Sequence, residues 1–219
     1  MNIDVISDVV CPWCFIGKRH LESALAAWRK EHPGQDQPVV RWHPFQLNPQ
    51  LPVSGIPRAD YIVTKFGGPQ RAKDIYARVA NAGARAGIAF NFDRIAVQPN
   101  TLNAHRLIHQ AGDSGRQDAV AEALFRAYFL EGADLSSDDT LADIAVRAGF
   151  DRGQISAYLA SDRDKALIQD QDQHARSLGV EGVPFFIFNR RYAVSGAQAP
   201  EAILDVMEKA QEELAAAPQ

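Results

Sequence analysis

The feature that most limits the fold of this chain is a pair of cysteines set between a strand pattern and a helix pattern. Cys11 and Cys14 are its two cysteines, and they enclose a Pro-Trp dipeptide. An apolar, strand-like segment precedes them over residues 2–7. Apolar side chains with helical spacing follow at Leu21, Ala24, Leu25 and Trp28. A C-x-x-C sequence alone fits a redox dithiol, half of a zinc site or a buried structural pair. The order of strand, motif and helix favours the redox dithiol.

The two cysteines are expected to play different parts. Pro12 suits the first position of a helix because its missing N–H needs no partner there, so Cys11 is predicted at the N-cap. Free backbone N–H groups and the helix dipole favour a thiolate at that point, which makes Cys11 the predicted nucleophile. Cys14 follows on the same buried face, where it can resolve a mixed disulfide formed at Cys11. Both are therefore predicted to be catalytic.

Metal binding is the alternative with a specific pattern behind it. His105 and His109 form an H-x3-H pair, a spacing found in Cys2His2 zinc sites. Zinc-binding C-x-x-C pairs usually sit on tight turns, whereas this pair leads into a long amphipathic helix. We therefore expect no metal site and no required cofactor, with the two histidines on a helix surface or at the edge of the core.

The composition predicts a chain that folds around a substantial core. Of its 219 residues 46% are hydrophobic, and the formal net charge is -4 without a basic stripe, so nucleic-acid binding is not expected. No apolar run approaches the roughly 18 residues of a membrane span, and the N-terminus shows no secretory signal pattern. These features predict a cytoplasmic protein with no membrane partner, whose dithiol rests largely reduced.

Strand signals lie at both ends of the chain, and helices are predicted in between. The elements predicted at the ends are strands over 2–7, 39–45, 183–188 and 192–194, a helix over 11–31, and a final helix over 199–214 with a frayed tail over 215–219. Five or six helices are predicted in the middle, including 69–86, 102–111, 118–130 and 140–148. The predicted fold class is α/β, a thioredoxin-like βαβ...ββα core with a large all-helical insertion. The predicted domains are 1–54 with 179–219, and 55–178.

Five segments carry a more specific resemblance that runs nearly end to end. They are Cys11 to Cys14, Trp42 to Pro49, Asn100-Thr101 with Ala104-His105, Gly182 to Phe186, and Ser195 to Gln198. With these motifs the chain resembles the FrnE-type branch of the DsbA family. The resemblance implies a cytosolic dithiol-disulfide oxidoreductase or isomerase that acts on protein or small-molecule disulfides and dithiols.

The resemblance also implies roles for residues around the dithiol. Pro184 is expected in cis, shielding the thiols from metal capture, although cis X-Pro bonds are uncommon and the bare sequence leaves the isomer open. Val183 is expected to offer its backbone to an extended substrate, next to Pro12 and Trp13 as further substrate-binding residues. Two histidines in the matching motifs are expected to border the cleft, His43 and His105.

Polar residues near the motifs carry weaker signals. Asp4 and Asp8 flank the first strand, and either one can relay a proton if it is buried beneath Cys14. Solvated acids are the commoner case, so neither is predicted to be catalytic. Asn100 and Thr101 are expected to cap a helix.

Two other functions remain open. Hydroxychromene-carboxylate isomerases and kappa-class glutathione transferases belong to the same broader family, but they carry a serine near the position of Cys11. The retained dithiol disfavours glutathione-activating chemistry, while glutathione stays a candidate reductant or co-substrate. The second alternative is a chaperone or binding module in which the dithiol is only a redox switch.

Overall fold

The computed structural model describes residues 1–216 and arranges nine α-helices around one four-stranded and one two-stranded sheet. The strands are β1 (Asn2–Ser7), β2 (Val39–Pro44), β3 (Ile56–Pro57), β4 (Val97–Gln98), β5 (Phe185–Phe188) and β6 (Tyr192–Ser195). The helices are α1 (Pro12–Glu31), α2 (Arg58–Phe66), α3 (Pro69–Arg85), α4 (Leu102–Gln110), α5 (Gln117–Arg126), α6 (Asp138–Arg147), α7 (Arg152–Ala160), α8 (Lys165–Ser177) and α9 (Pro200–Ala216). No helix within this part of the chain is long and apolar enough to cross a bilayer.

The larger sheet has the strand order β2-β1-β5-β6. β1 and β2 are parallel and are joined through α1, while β5 pairs antiparallel with both β1 and β6. With α9 following β6, this is the βαβ...ββα core, and the predicted thioredoxin-like fold class is confirmed. α9 continues to Ala216 rather than ending at Leu214, and the last part of the predicted frayed tail, 217–219, lies outside the described residues.

The chain between β2 and β5 contains seven of the described helices, more than the five or six predicted. The short helix α7 shows why the count was low. Its buried apolar side chains, Ile155, Tyr158 and Leu159, cover little more than one turn, and Gly153 weakens the helical signal further. Asp151 caps this helix by accepting a hydrogen bond from the Gln154 N–H at 2.8 Å. The domain boundaries themselves stay a prediction.

The central sheet uses its two faces differently. Alternate residues of β1 and β5, including Ile3, Val5, Phe186 and Phe188, belong to a large buried cluster that also contains apolar residues of α1 and α9. Ile6 points to the opposite face, where it packs in a small cluster with residues of α8. Because side chains alternate along a strand, Asp4 also lies on this second face. The C-terminal end of β1 leads directly to Cys11.

Ion pairs tie α1 to α5, within the predicted insertion. Lys18 is almost completely buried, and its Nζ lies 3.2 Å from carboxylate oxygens of both Asp118 and Glu122 and also pairs with Glu22. Arg19 donates to both oxygens of Glu122. Burial raises the pKa of Glu122, but the Arg19 hydrogen bonds and the charges of Lys18 and Arg19 outweigh it and hold that pKa below its usual range.

A second buried cation organises the far end of the insertion. Arg106 is fully buried, and its guanidinium donates to five oxygen acceptors. Four of them are main-chain carbonyls near the end of α7 and in the following loop, and the fifth is the side chain of Asn103: Tyr158 O, Leu159 O, Ser161 O, Arg163 O and Asn103 Oδ1. A cation is favourable at a helix C-terminus, where free carbonyls carry the negative end of the dipole.

Candidate active site

The dithiol lies where β1 passes into α1. Cys11 occupies the N-cap with extended backbone angles and Pro12 follows at the start of the helix, as predicted. The Cys11 N–H donates to the Asp8 carbonyl at 3.0 Å, and the Cys14 N–H donates to the Cys11 carbonyl at the same distance. Both residues are free thiols. About 5% of the Cys11 surface is exposed to solvent, compared with 1% for Cys14.

The two thiols differ in their surroundings. Burial raises the pKa of the Cys14 thiol well above its usual range, and the hydrogen bond and charge of Cys11 raise it further. Contacts with the Ser7 hydroxyl and the Asp8 N–H lower it only in part. Cys14 is therefore protonated at neutral pH, whereas Cys11 sits at the positive end of the helix dipole. The arrangement has the asymmetry that a nucleophilic and a resolving thiol require.

The segment before β5 forms the wall opposite the thiols. The Cys11 thiol donates to the Val183 carbonyl at 3.5 Å, and the Val183–Pro184 peptide bond is cis. β5 begins at Phe185, so these two residues precede the strand instead of opening it as predicted. Because Val183 precedes β5, its backbone takes no part in the sheet ladder, and its carbonyl faces the Cys11 thiol.

Gly17 is a site residue that the sequence reasoning missed. A Cβ atom on Gly17 would lie 2.8 Å from Pro184 Cγ and 3.2 Å from Phe186 Cζ. The α1 backbone therefore lies so close to Pro184 that a residue with a side chain does not fit at position 17. A glycine inside a strongly predicted helix, one turn after Cys14, was the available signal.

The two histidines expected at the cleft lie in different environments. His43 Nε2 is 2.8 Å from Asp4 Oδ1 on the second face of the sheet. His105 is buried, with 4% of its surface exposed, and its Nε2 lies 3.4 Å from Asp8 Oδ1. Despite these different partners, both histidines line one small cavity, together with Ser7 and His109. Pro12 is half-buried, and Trp13 is 42% exposed beside Cys11.

Asp8 is the clearest departure from expectation. The sequence favoured a solvated acid, but the Asp8 side chain is fully buried. Its Oδ2 accepts a hydrogen bond from the Leu47 N–H at 2.8 Å, which holds the start of the 46–51 loop against the end of β1. The two apolar residues that follow Asp8, Val9 and Val10, were the sequence signal for its burial.

Asn100 fixes the other end of the 46–51 loop. Its Nδ2 donates to the Leu51 carbonyl at 2.7 Å, and its Oδ1 accepts from the Leu102 N–H at 3.0 Å. The capping role predicted for Asn100 and Thr101 therefore belongs to Asn100, since the Thr101 side chain makes no capping bond. Among residues 1–216, no group of three or more His, Cys, Asp or Glu side chains is arranged to hold a metal ion.

A dithiol at a helix N-terminus on a thioredoxin-like sheet defines a thiol-disulfide oxidoreductase. The chain matches the model of the DSBA-like thioredoxin domain over residues 2–208. It belongs to this family.

Solved structures agree with this assignment. A probable DsbA oxidoreductase from Streptomyces coelicolor is 32% identical, with a TM-score of 0.86 over 97% of this chain and 91% of that chain. The cytosolic disulfide reductase DsbM from Pseudomonas aeruginosa, solved with glutathione (GSH), has a TM-score of 0.63 at 18% identity, over 99% of this chain and 98% of that one. A 2-hydroxychromene-2-carboxylate isomerase has a TM-score of 0.67 at 16% identity, over 98% and 96%. The last two likenesses concern the fold alone.

Proposed function

We propose that the protein exchanges disulfides through Cys11 and Cys14. The Cys11 thiolate attacks one sulfur of a substrate disulfide, forms a mixed disulfide and releases the other sulfur as a thiolate. Cys14 then loses its proton and attacks Cys11 Sγ. The Cys11–Cys14 disulfide forms and the second substrate thiolate leaves, so the substrate gains two electrons and the dithiol loses them. The reverse sequence oxidises a substrate dithiol.

The observation that carries this proposal is the unequal placement of the two thiols on one helix. Cys11 lies at the N-cap against Val183, while Cys14 is buried behind it. Once Cys11 is in a mixed disulfide it no longer donates to the Val183 carbonyl, which is then free to accept an N–H of an extended substrate. Pro184 covers the thiols against metal ions, and Pro12 and the exposed Trp13 supply apolar contact.

Trapping of mixed disulfides tests the mechanism. In a Cys14→Ser variant the resolving step is lost, so partners should accumulate covalently on Cys11 under mild oxidation. Cys11→Ser is the matched control, since Cys14 is buried and should trap almost nothing. Equal trapping by the two variants, or none by Cys14→Ser, contradicts the assignment of roles.

Protein and small-molecule disulfides are the proposed substrates, and glutathione is the proposed reductant. The fold shared with DsbM, which was solved with GSH, supports the choice of glutathione. Reduction of the Cys11–Cys14 disulfide by glutathione, followed by mass spectrometry of a Cys11–glutathione adduct, tests this choice.

We also propose that the protein belongs to the FrnE-type branch and acts in the cytoplasm. Cell fractionation with an antibody to the protein would check the cytoplasmic location.

The shared fold of the isomerase supports a second candidate, a glutathione-dependent isomerase or kappa-class-like transferase. Conjugation of glutathione to 1-chloro-2,4-dinitrobenzene separates the candidates, because that reaction needs no resolving thiol and should survive in Cys14→Ser. A chaperone or binding module would instead suppress aggregation equally well in wild type and Cys11→Ala, while insulin reduction would be lost in the variant.

A further inference from the structure

A carboxyl group and an imidazole are buried together behind the dithiol. Asp8 follows β1 and is fully buried, and His105 in α4 is 4% exposed. Asp8 Oδ1 and His105 Nε2 lie 3.4 Å apart, outside hydrogen-bond geometry, and within the described side chains neither atom has any hydrogen-bond partner. Because a carboxylate buried without a partner is strongly unfavourable, the two groups are the natural partners of one another.

Both members of this pair are held in place. The Leu47 N–H fixes the second Asp8 oxygen at 2.8 Å, and His105 is part of α4, where its N–H donates to the Thr101 carbonyl at 3.0 Å. The Asp8 main chain contacts both cysteines: its carbonyl accepts the Cys11 N–H, and its own N–H faces the Cys14 sulfur. The Asp8 carboxyl therefore belongs to a residue in direct main-chain contact with both cysteines.

No other cation reaches the Asp8 carboxyl in the described part of the chain. The Arg58 guanidinium donates to the hydroxyls of Tyr76 and Tyr128 and to Gln98. Burial raises the pKa of Tyr128, and that of Tyr61, which is near enough to Arg58, Asp8 and Cys11 to be affected by their charges. These phenols are uncharged at neutral pH. Besides the neutral Leu47 N–H on Oδ2, His105 is therefore the group that lies within reach of the Asp8 carboxyl in the described part of the chain and can carry an offsetting charge.

We propose that His105 is a positioning residue of the dithiol, donating from Nε2 to Asp8 Oδ1 and so shielding the Cys11 thiolate from the buried carboxylate. A negative charge nearby disfavours a thiolate, and a donor on that charge relieves the effect. The inference rests on the proposed function, in which Cys11 is the attacking thiol. It gives the inserted helices a direct part in setting the reactivity of the redox helix.

The test is the pH profile of alkylation of reduced protein by iodoacetamide, with the labelled cysteine identified by mass spectrometry. In His105→Leu the Cys11 profile should move to higher pH by about one unit, the effect of a tenfold change in thiolate stability. His105→Gln keeps an amide donor and should move it less. Asp8→Asn should move the profile to lower pH, and Asp8→Asn/His105→Leu should coincide with Asp8→Asn, because His105 acts only through the carboxylate.

Asp4→Asn is the matched control, since it removes the charge of the carboxylate in another carboxylate–imidazole pair, Asp4 and His43 on β1 and β2, and should leave the profile unchanged. Circular dichroism establishes that each variant is folded. A His105→Leu shift that persists in the Asp8→Asn background overturns the inference, as do identical profiles in all variants. Label on Cys14 in place of Cys11 in the wild type contradicts the proposed function instead, so the two failures are distinguishable.

Discussion

A methyl group added at Gly17 tests how closely the redox helix must approach Pro184. In Gly17→Ala the new Cβ lies 2.8 Å from Pro184 Cγ, and ordinary contact begins at 3.4 Å, so α1 and the Val183–Pro184 segment must separate by about 0.6 Å. The nearest displaced atoms belong to the Pro184 ring, which is closed onto the backbone and cannot rotate away as a long side chain does. The separation therefore moves the wall of the cleft relative to Cys11.

Two opposing effects set the stability of this variant. Replacing glycine by alanine inside a helix stabilises it by about 1 kcal/mol, whereas overpacking a tight contact costs about 1–3 kcal/mol. We expect a net loss of up to about 2 kcal/mol. Misplacement of a reacting group by 1 Å lowers rates by up to about a hundredfold, so a shift of 0.6 Å should slow insulin reduction about tenfold.

Gly83→Ala separates the effect on the site from the effect on the fold. Its Cβ would lie 2.3 Å from Phe90 Cε2 within the helical region, so it should also destabilise the protein while leaving the rate of insulin reduction unchanged. Urea unfolding and the reduction assay on both variants check this. Wild-type stability and rate in Gly17→Ala, or an equal loss of rate in Gly83→Ala, would refute the role assigned to this contact.

Two further predictions concern the buried cations. Arg106→Met leaves four main-chain carbonyls, two of them fully buried, without their donor. It should lower the free energy of unfolding by about 3 kcal/mol or more, measured in urea; a loss below about 1 kcal/mol contradicts the capping role. The pKa of Glu122 is lower in the folded than in the unfolded chain. The ionised Glu122 side chain therefore contributes to the stability of the fold above the unfolded pKa near 4.5, and this contribution is lost as the pH falls through the folded pKa. The stability advantage of wild type over Glu122→Gln should therefore shrink between pH 6 and about pH 3, and an advantage independent of pH would count against the Lys18–Arg19 network.

The parts of this fold that the sequence predicts well are those set by neighbouring residues. The apolar segment before Cys11, the proline at 12 and the helical spacing after it suffice for β1, the start of α1 and the placement of Cys14 on the buried face. The β5–β6 hairpin was also predictable, because two apolar runs flank a polar turn. Residues 189 and 190 adopt positive φ in that turn. β5 ends at Phe188 as predicted, but it begins at Phe185, two residues later than predicted.

The contacts missed are those that join distant segments. Asp8 reads as a solvated acid because its burial depends on the 46–51 loop, whose position depends in turn on Asn100. A lysine on an amphipathic helix is ordinarily exposed, yet α5 covers Lys18 and supplies the carboxylates that pair with it. In each case the side chain is polar and its partners lie far away in the sequence, so periodicity carries no information about the contact.

These missed contacts share one consequence for the mechanism. Segments of the predicted insertion reach α1 at Lys18 and Arg19 and reach the end of β1 at Asp8. Cys11 and Cys14 lie between Asp8 and Lys18 in the chain. The predicted insertion therefore contacts the chain both before and after the dithiol. If the insertion only enlarges the substrate surface, replacing His105 leaves the reactivity of the Cys11 thiol unchanged. If the insertion also sets the charge behind the dithiol, replacing His105 changes that reactivity. The alkylation profiles of the His105 variants therefore decide between a passive and an electrostatic role for the insertion.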